Sequence, residues 1–458
     1  MDVKKAMLSL TMERLSVAFS TFTNADFRVW FEDRLAVVLS SVNAEFLGQI
    51  PKSISCEAYK SVIAGINRGF SEIPRERKKD CVNYIASFLT QKSQTTGPAC
   101  FGETTPRNWL LTYFGQFYTE VSYVQLVSYY RQTFDAYAVL DLLTPSQIGD
   151  MIVHSDTLTS MDSALRLVNF FQESSVDFVQ MTLKQFTRAA IQHKMTVLPN
   201  TEVAQLLLTN YLTLASPQME TYTAADWNAT FQGELRFLCS VVNATTLAYF
   251  VPQNYNSFTA IVAGLSGAHS QMAEPFRKAV VLWIIQNLKD LKEKPNEPFA
   301  EWIKFAWGSF FKDATLEDVE STKEDFDPFA VLNTLSTEQL VDVITTSDAL
   351  VNVTTLRQVL LSLETGRSEI PLAKMDVFLT RLNFILEQKN IPGIRNAEVR
   401  LELLSTIFRN LARYFRKFTA LDYQNWFTKK LKLLLPSINV NLLQLIPLDV
   451  SFASYRAM

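Results

Sequence analysis

Histidine, glycine, proline and cysteine are all scarce in this sequence, and each scarcity removes a class of fold or chemistry. Only three histidines occur in 458 residues, His154, His193 and His269; they lie far apart along the chain and lack metal-ligand spacing. Surface or core roles are expected for all three. No Walker A loop, GxGxxG or HExxH is present, so the phosphate, dinucleotide and zinc-protease signatures are missing. With 13 glycines and 16 prolines the chain is poor in turn-formers. Long stretches of alternating apolar and polar face at helical period take their place, which predicts an α-helical protein with short connections.

Charge of one sign is lacking too: the net charge is -3 and the isoelectric point about 5.8. The densest basic run, RERKK at Arg75–Lys79, is short and isolated, so nucleic acid is not an expected partner. No apolar run reaches the roughly 18–20 residues a membrane-spanning helix needs. AVVLWIIQNL at Ala279–Leu288 is about half that and reads as a buried core helix. The N-terminal stretch sets Lys4 and Lys5 before a short apolar run that Glu13 and Arg14 interrupt, which makes a poor secretory signal.

What is present is internal repetition. FTNADF at Phe22–Phe27 returns as YTAADW at Tyr222–Trp227 and as FTALDY at Phe418–Tyr423. Residues 22–59 and 418–455 align without a gap, sharing among others Phe22, Asp26, Trp30, Leu35, Asn43, Pro51 and Tyr59. In all three copies an asparagine follows the aspartate at the same spacing: Asp26 to Asn43, Asp226 to Asn243, Asp422 to Asn439. Other segments pair as well: Trp109…Gly115 with Trp302…Gly308, FDAYAVLDLLTPSQ at Phe134–Gln147 with FDPFAVLNTLSTEQ at Phe326–Gln339, and Asn200–Val203 with Asn396–Val399. The expected organisation is a leading segment 1–15, one repeat unit over 16–212, a second over 213–411, and the start of a third over 412–458. A longer tandem array is expected around this chain.

The recurring motifs read as helix starts. Thr23 at the N-cap and Asp26 three residues on form a capping box, with Phe22 and Phe27 placed as a hydrophobic staple. Thr223 with Asp226 and Thr419 with Asp422 repeat it. The aspartate sits where the helix dipole favours negative charge, and no recurring acid or histidine accompanies it as acid–base chemistry requires. Thr144 with Gln147 and Ser336 with Gln339 form a second kind of box, each leading an amphipathic helix of about ten residues. Such short helices must stack on neighbours to bury their apolar faces.

Motifs that carry chemistry are few. Ser266 and His269 fall close together in AGLSGAH but lack the GxSxG spacing, and Asn67 takes the serine's place in the first unit's AGINRGF, so a nucleophile is not expected. Cys56 and Cys100 flank a helical segment, Cys100 within the turn-rich TTGPACFGETTP; the second unit lacks both, around Ser257 and Asn296. Joint loss suits a disulfide pair in a secreted protein, and it also suits chance. Cys81 and Cys239 sit in apolar patterns as buried thiols. Candidate N-glycosylation sites are Asn228, Asn243 and Asn352, a number that composition alone supplies. The acidic stretch Lys312–Asp327 and KKLK at Lys429–Lys432 read as solvated faces.

The stretches VLDLLTPSQIGDMI, NWLLTYFGQF and IPKSISCEAY resemble the mesothelin, stereocilin and otoancorin superfamily, and more closely the mesothelin-like repeat proteins of vertebrates. That resemblance implies a right-handed superhelix of armadillo-like repeats in an extracellular, surface-attached protein acting in adhesion or matrix attachment. It also implies a membrane anchor outside this stretch, and it supplies no catalytic residues. The expected fold is therefore an all-α helical-repeat solenoid of armadillo or HEAT type. The expected function is non-enzymatic binding of a protein or glycan without a cofactor. The alternative is an intracellular scaffold for protein–protein interaction.

Overall fold

Helical periodicity in the sequence becomes helix throughout: in a computed structural model describing residues 3–94, 100, 105–130, 134–291, 297–364 and 369–458, the described residues contain no strand. The stretch around Cys100 that reads as turn-rich lies, apart from Cys100, Thr105 and Pro106, outside the described residues.

Contacts divide the chain into two units, Met1–Tyr222 with Asp226–Phe250, and Thr223–Ala225 with Val251–Met458. The first unit carries α1 (Val3–Ala18), α2 (Asn24–Arg28), α3 (Ala44–Gln49), α4 (Cys56–Arg68), α5 (Arg75–Gln94), α6 (Pro106–Tyr113) and α7 (Tyr123–Tyr129). It continues through α8 (Pro145–His154), α9 (Met161–Gln172), α10 (Val176–Gln192), α11 (Thr201–Met219), most of α12 (Ala224–Gln232) and α13 (Ala244–Leu247). The second unit holds α14 (Tyr255–Ala268), α15 (Glu274–Asp290), α16 (Phe299–Trp302), α17 (Leu316–Glu320), α18 (Thr337–Thr346) and α19 (Val353–Leu363). It ends with α20 (Leu372–Gln388), α21 (Ala397–Phe415), α22 (Ala420–Gln424), α23 (Val440–Leu443) and α24 (Phe452–Ala457).

The division falls beyond the start of the second sequence repeat because the repeat's opening packs backward. Thr187 of α10 donates its hydroxyl to the Gly233 carbonyl at 2.7 Å, and Lys184 of α10 pairs with Glu234 at 3.3 Å. The second unit does the same at its own end, where the Asn383 amide of α20 donates to the Lys429 and Lys430 carbonyls at 3.3 and 2.9 Å. The charge pair returns with its signs exchanged, Asp376 of α20 against Lys430.

The helix starts have the geometry their residue types dictate. The Thr23 N–H donates to Asp26 Oδ2 at 2.8 Å, and the Asp26 N–H donates to Thr23 Oγ1 at 3.3 Å. Thr419 and Asp422 repeat this at 2.8 and 3.2 Å. The middle copy opens α12 at Ala224 with Asp226 in the first turn. All three aromatic staples are edge-to-face, Phe22–Phe27 and Phe418–Tyr423 at 5.5 Å and Tyr222–Trp227 at 5.3 Å. Each opening then widens by one residue: the amides of Leu35, Leu235 and Leu431 reach back five residues to Trp30, Thr230 and Trp426. A wide turn of this kind leaves carbonyls for a neighbour to satisfy, which is what Thr187 and Asn383 do.

Burial concentrates on the aromatic residues. In the first unit Tyr59 of α4 stacks on Phe88 of α5 at 3.9 Å, and its hydroxyl donates to the Tyr113 carbonyl of α6 at 2.8 Å. Gly65 lets α4 approach closely, since a Cβ there would meet the Phe31 carbonyl oxygen at 2.2 Å. The expected core helix at Ala279–Leu288 lies within α15 and buries Val280, Val281, Ile284 and Leu288, while Leu282 faces solvent.

Candidate functional site

The residues singled out by sequence mostly resolve into bonds that hold helices together. Gln147 and Gln339 close their capping boxes, Thr144 N–H to Gln147 Oε1 at 2.9 Å and Ser336 N–H to Gln339 Oε1 at 2.8 Å. Both glutamines are also buried, and each side-chain amide donates twice. Gln147 reaches the carbonyls of Tyr118 and Val121 at 2.6 and 2.7 Å; Gln339 reaches those of Phe311 and Ala314 at 2.7 and 2.9 Å. This second role was not legible in the S/T-x-x-Q pattern, because the carbonyls come from a 3₁₀ segment more than twenty residues upstream.

The recurring asparagines are also caps. Asn43, Asn243 and Asn439 accept from the amides of Phe46, Thr246 and Leu442 at 2.9, 3.0 and 3.0 Å. Two of the three glycosylation candidates are thus tied to helix starts. Asn243 is half-buried, and Asn352 caps α19 while donating to Asp348 at 3.0 Å. Asn228 is exposed on α12, with the Thr230 of its sequon buried.

Cys56, at the start of α4, is joined to Cys100 by a disulfide with the two Cα atoms 5.3 Å apart. Cys81 and Cys239 are free and buried. Burial pushes the Cys81 thiol up to about 12, with Asp80 adding to the shift, which keeps it a thiol at neutral pH.

Two of the three histidines come together in space. His154 and His193 are far apart in sequence, yet they meet edge-to-face at 4.3 Å where α8 and α10 end together. His154 Nδ1 lies 2.8 Å from the Asp150 carbonyl. Among the described residues no group of three or more metal-ligating side chains gathers, there or elsewhere. His269 contacts Asp313 at 2.6 Å, and Arg277 Nε donates to the same carboxylate at 2.8 Å. The first unit builds the equivalent contact from Lys78, Glu120 and Phe70, with Lys78 3.6 Å above the Phe70 ring and 3.9 Å from Glu120.

Ser266 beside His269 has a backbone role. Its Oγ accepts from the Ser309 N–H at 3.1 Å, as Asn67 Oδ1 accepts from the Gln116 N–H at 2.6 Å. Both side chains press on a glycine held at positive φ, Gly308 and Gly115, each at 54°. Alanine at either place would combine strained backbone with a Cβ inside the neighbouring side chain.

One polar concavity stands out in the first unit, a groove of about 450 Å³ between α2, α4 and α6. Arg28 and Glu32, one turn apart on α2 and its wide turn, form one wall; Glu57, Lys60 and Asn67 of α4 form the floor; Leu111 of α6 lies on the rim. Lys60 pairs with Glu57 at 2.7 Å, a bond that raises the lysine's pKa. Arg68 sits 3.9 Å from the Glu32 carboxylate and also donates to the Glu32 carbonyl.

A second polar cluster centres on a buried carboxylate, Glu234, whose cationic partner Lys184 reaches solvent. Glu234 is buried, with one oxygen on Lys184 and the other, Oε2, unpartnered, near the equally unpartnered Tyr211 hydroxyl. Burial raises the Glu234 pKa against the opposing pull of its backbone bond and Lys184. Nothing in the sequence marks this site, since its three elements are brought together only by packing.

No family model matches the chain, and neither do any curated protein or any solved structure.

Proposed function

We propose that the chain is a non-enzymatic helical-repeat protein that binds a macromolecular partner outside the cell or at its surface, in adhesion or matrix attachment. The observation that carries this reading is the recurrence of one set of bonds between segments in both copies. The Gln147 and Gln339 staples, the Asn67 and Ser266 bonds beneath Gly115 and Gly308, and the wide turns after each capping box all return. Side chains around them that face solvent change freely between copies. A scaffold held constant while its surface varies is the economy of a stacked helical array, in which each unit contacts its neighbours and the exposed faces bind. An armadillo-like solenoid of the mesothelin, stereocilin and otoancorin type fits this pattern.

The Cys56–Cys100 bond favours an oxidising compartment. Expression in a secretory host, followed by mass spectrometric mapping of disulfides and glycans, tests the extracellular reading. The expected result is a Cys56–Cys100 bridge in the secreted chain and a glycan on Asn228, which is exposed and does not cap a helix. Free thiols at both cysteines with bare Asn228, Asn243 and Asn352 would instead assign the chain to an intracellular scaffold. The secreted chain, presented to cells and matrix, is expected to bind saturably; no binding to either would remove the adhesion reading.

A further inference from the structure

We infer that the groove between α2, α4 and α6 is a docking site for an acidic side chain of a protein partner, received by Arg28. The inference rests on the interaction reading above and adds the place and chemistry of contact. Three observations carry it.

The first is the charge arrangement. Of the groove's charged residues, Lys60 is matched by Glu57 and Glu32 by Arg68, whereas the side chain of Arg28 makes no hydrogen bond or ion pair with any described residue and is exposed. The groove therefore offers one unmatched positive charge within otherwise neutralised surroundings. A guanidinium presents a planar fork of donors that suits a carboxylate in a bidentate bond.

The second is the comparison of copies. The positions of Arg28, Glu32, Glu57 and Lys60 are held in the second copy by Asn228, Gln232, Asn256 and Thr259, all neutral. In the third copy Arg28 and Glu32 give way to Gln424 and Thr428. The glycines and their partners below the groove, Gly115 with Asn67 and Gly308 with Ser266, persist in both complete copies. Helix packing thus keeps the floor without needing the charges, and all four appear together in one copy alone.

The third decides between ligand classes. Among the described residues no aromatic ring lines the groove to stack against a sugar face, while Leu111 on its rim is 49% exposed and offers apolar contact. A side chain of the length of glutamate, flanked by peptide, fits these features better than a pyranose.

The test follows the Arg28 Nε–H resonance of the whole chain, labelled with ¹⁵N-arginine, during titration with acetyl-glutamate-N-methylamide, its glutamine analogue and glucuronate. The expected result is a saturable shift with the glutamate compound, at least about tenfold weaker with the glutamine analogue. Binding followed at the Leu111 methyls should be lost in Arg28→Gln and partly kept in Arg28→Lys. The thermal midpoint should not change in either variant, because the Arg28 side chain has no partner to lose among the described residues. The inference is overturned by no saturable shift, by equal binding of the two amides, by equal binding in Arg28→Gln, or by tighter binding of glucuronate. Each of these outcomes leaves the adhesion reading standing, since that is decided on the secreted chain.

Discussion

The side-chain amide of Gln147 donates to the backbone carbonyl of Val121 at 2.7 Å inside the core, while the oxygen of the same side chain accepts from the Thr144 N–H at 2.9 Å. One glutamine thus starts α8 and ties it to the 3₁₀ segment Gly115–Glu120 and its exit at Val121. Replacing it with glutamate keeps the capping acceptor but removes both donors, leaving the Tyr118 and Val121 carbonyls short of partners. Gln147→Glu should lower the unfolding free energy by roughly 2–4 kcal/mol, against about 1 kcal/mol for the cap change Thr144→Ala. Urea unfolding of the two variants checks the ratio, and equal losses would mean that the donor half of the side chain contributes nothing.

Asp26 and Glu234 should respond to pH with opposite signs. The Thr23 hydroxyl and amide hold the Asp26 carboxyl below its ordinary value. Its contribution is therefore present above the unfolded pKa, near 4, and is lost as pH falls through the folded one. Burial holds Glu234 above its ordinary value, so its ionised form weakens the fold at neutral pH and the penalty disappears as pH falls toward the unfolded pKa. Asp26→Asn should destabilise at pH 7 and Glu234→Gln should stabilise there. Both differences should shrink toward zero in acid, and thermal midpoints between pH 7 and 3 measure them.

The Cys56–Cys100 bridge closes a loop with a sequence separation of 44. The chain-entropy account assigns such a loop about 4 kcal/mol. The double change Cys56→Ser with Cys100→Ser should cost about that much, while reducing agent should leave the double variant unaffected. Denaturation of both proteins with and without reductant checks it.

Gly115 should resist substitution. At its φ of 54° a Cβ would stand 2.6 Å from Asn67 Oδ1, which is bonded to the Gln116 amide. Gly115→Ala should cost roughly 1–3 kcal/mol, and Gly308→Ala a similar amount, as calorimetry can show. A neutral effect at both sites would indicate that the turns relax without consequence.

Much of the local structure was legible in the sequence because it depends on neighbours a few residues apart. The capping boxes at Thr23, Thr144, Ser336 and Thr419 form as written, and α8 and α18 run for the ten residues their apolar spacing suggests. The recurrence of Asn43, Asn243 and Asn439 was visible, but their shared work as caps was not, since an N-cap asparagine without a glutamate three residues on resembles any loop asparagine. The meeting of His154 with His193 was hidden for a different reason. It depends on α8 and α10 ending side by side, and no local pattern encodes which helices become neighbours.

The sequence by itself determined the helical class, the helix starts marked by capping boxes and the recurrence of their motifs, because hydrogen bonds between residues three to five apart and apolar periodicity need no partner from elsewhere. Only the tertiary structure decided that Gln147 would serve the backbone of another segment, that Glu234 would be buried against Lys184, and that the Arg28 side chain would find no partner among the described residues. Those outcomes depend on which surfaces pack together, and packing is selected by shape and burial summed over many residues, a quantity no short motif records.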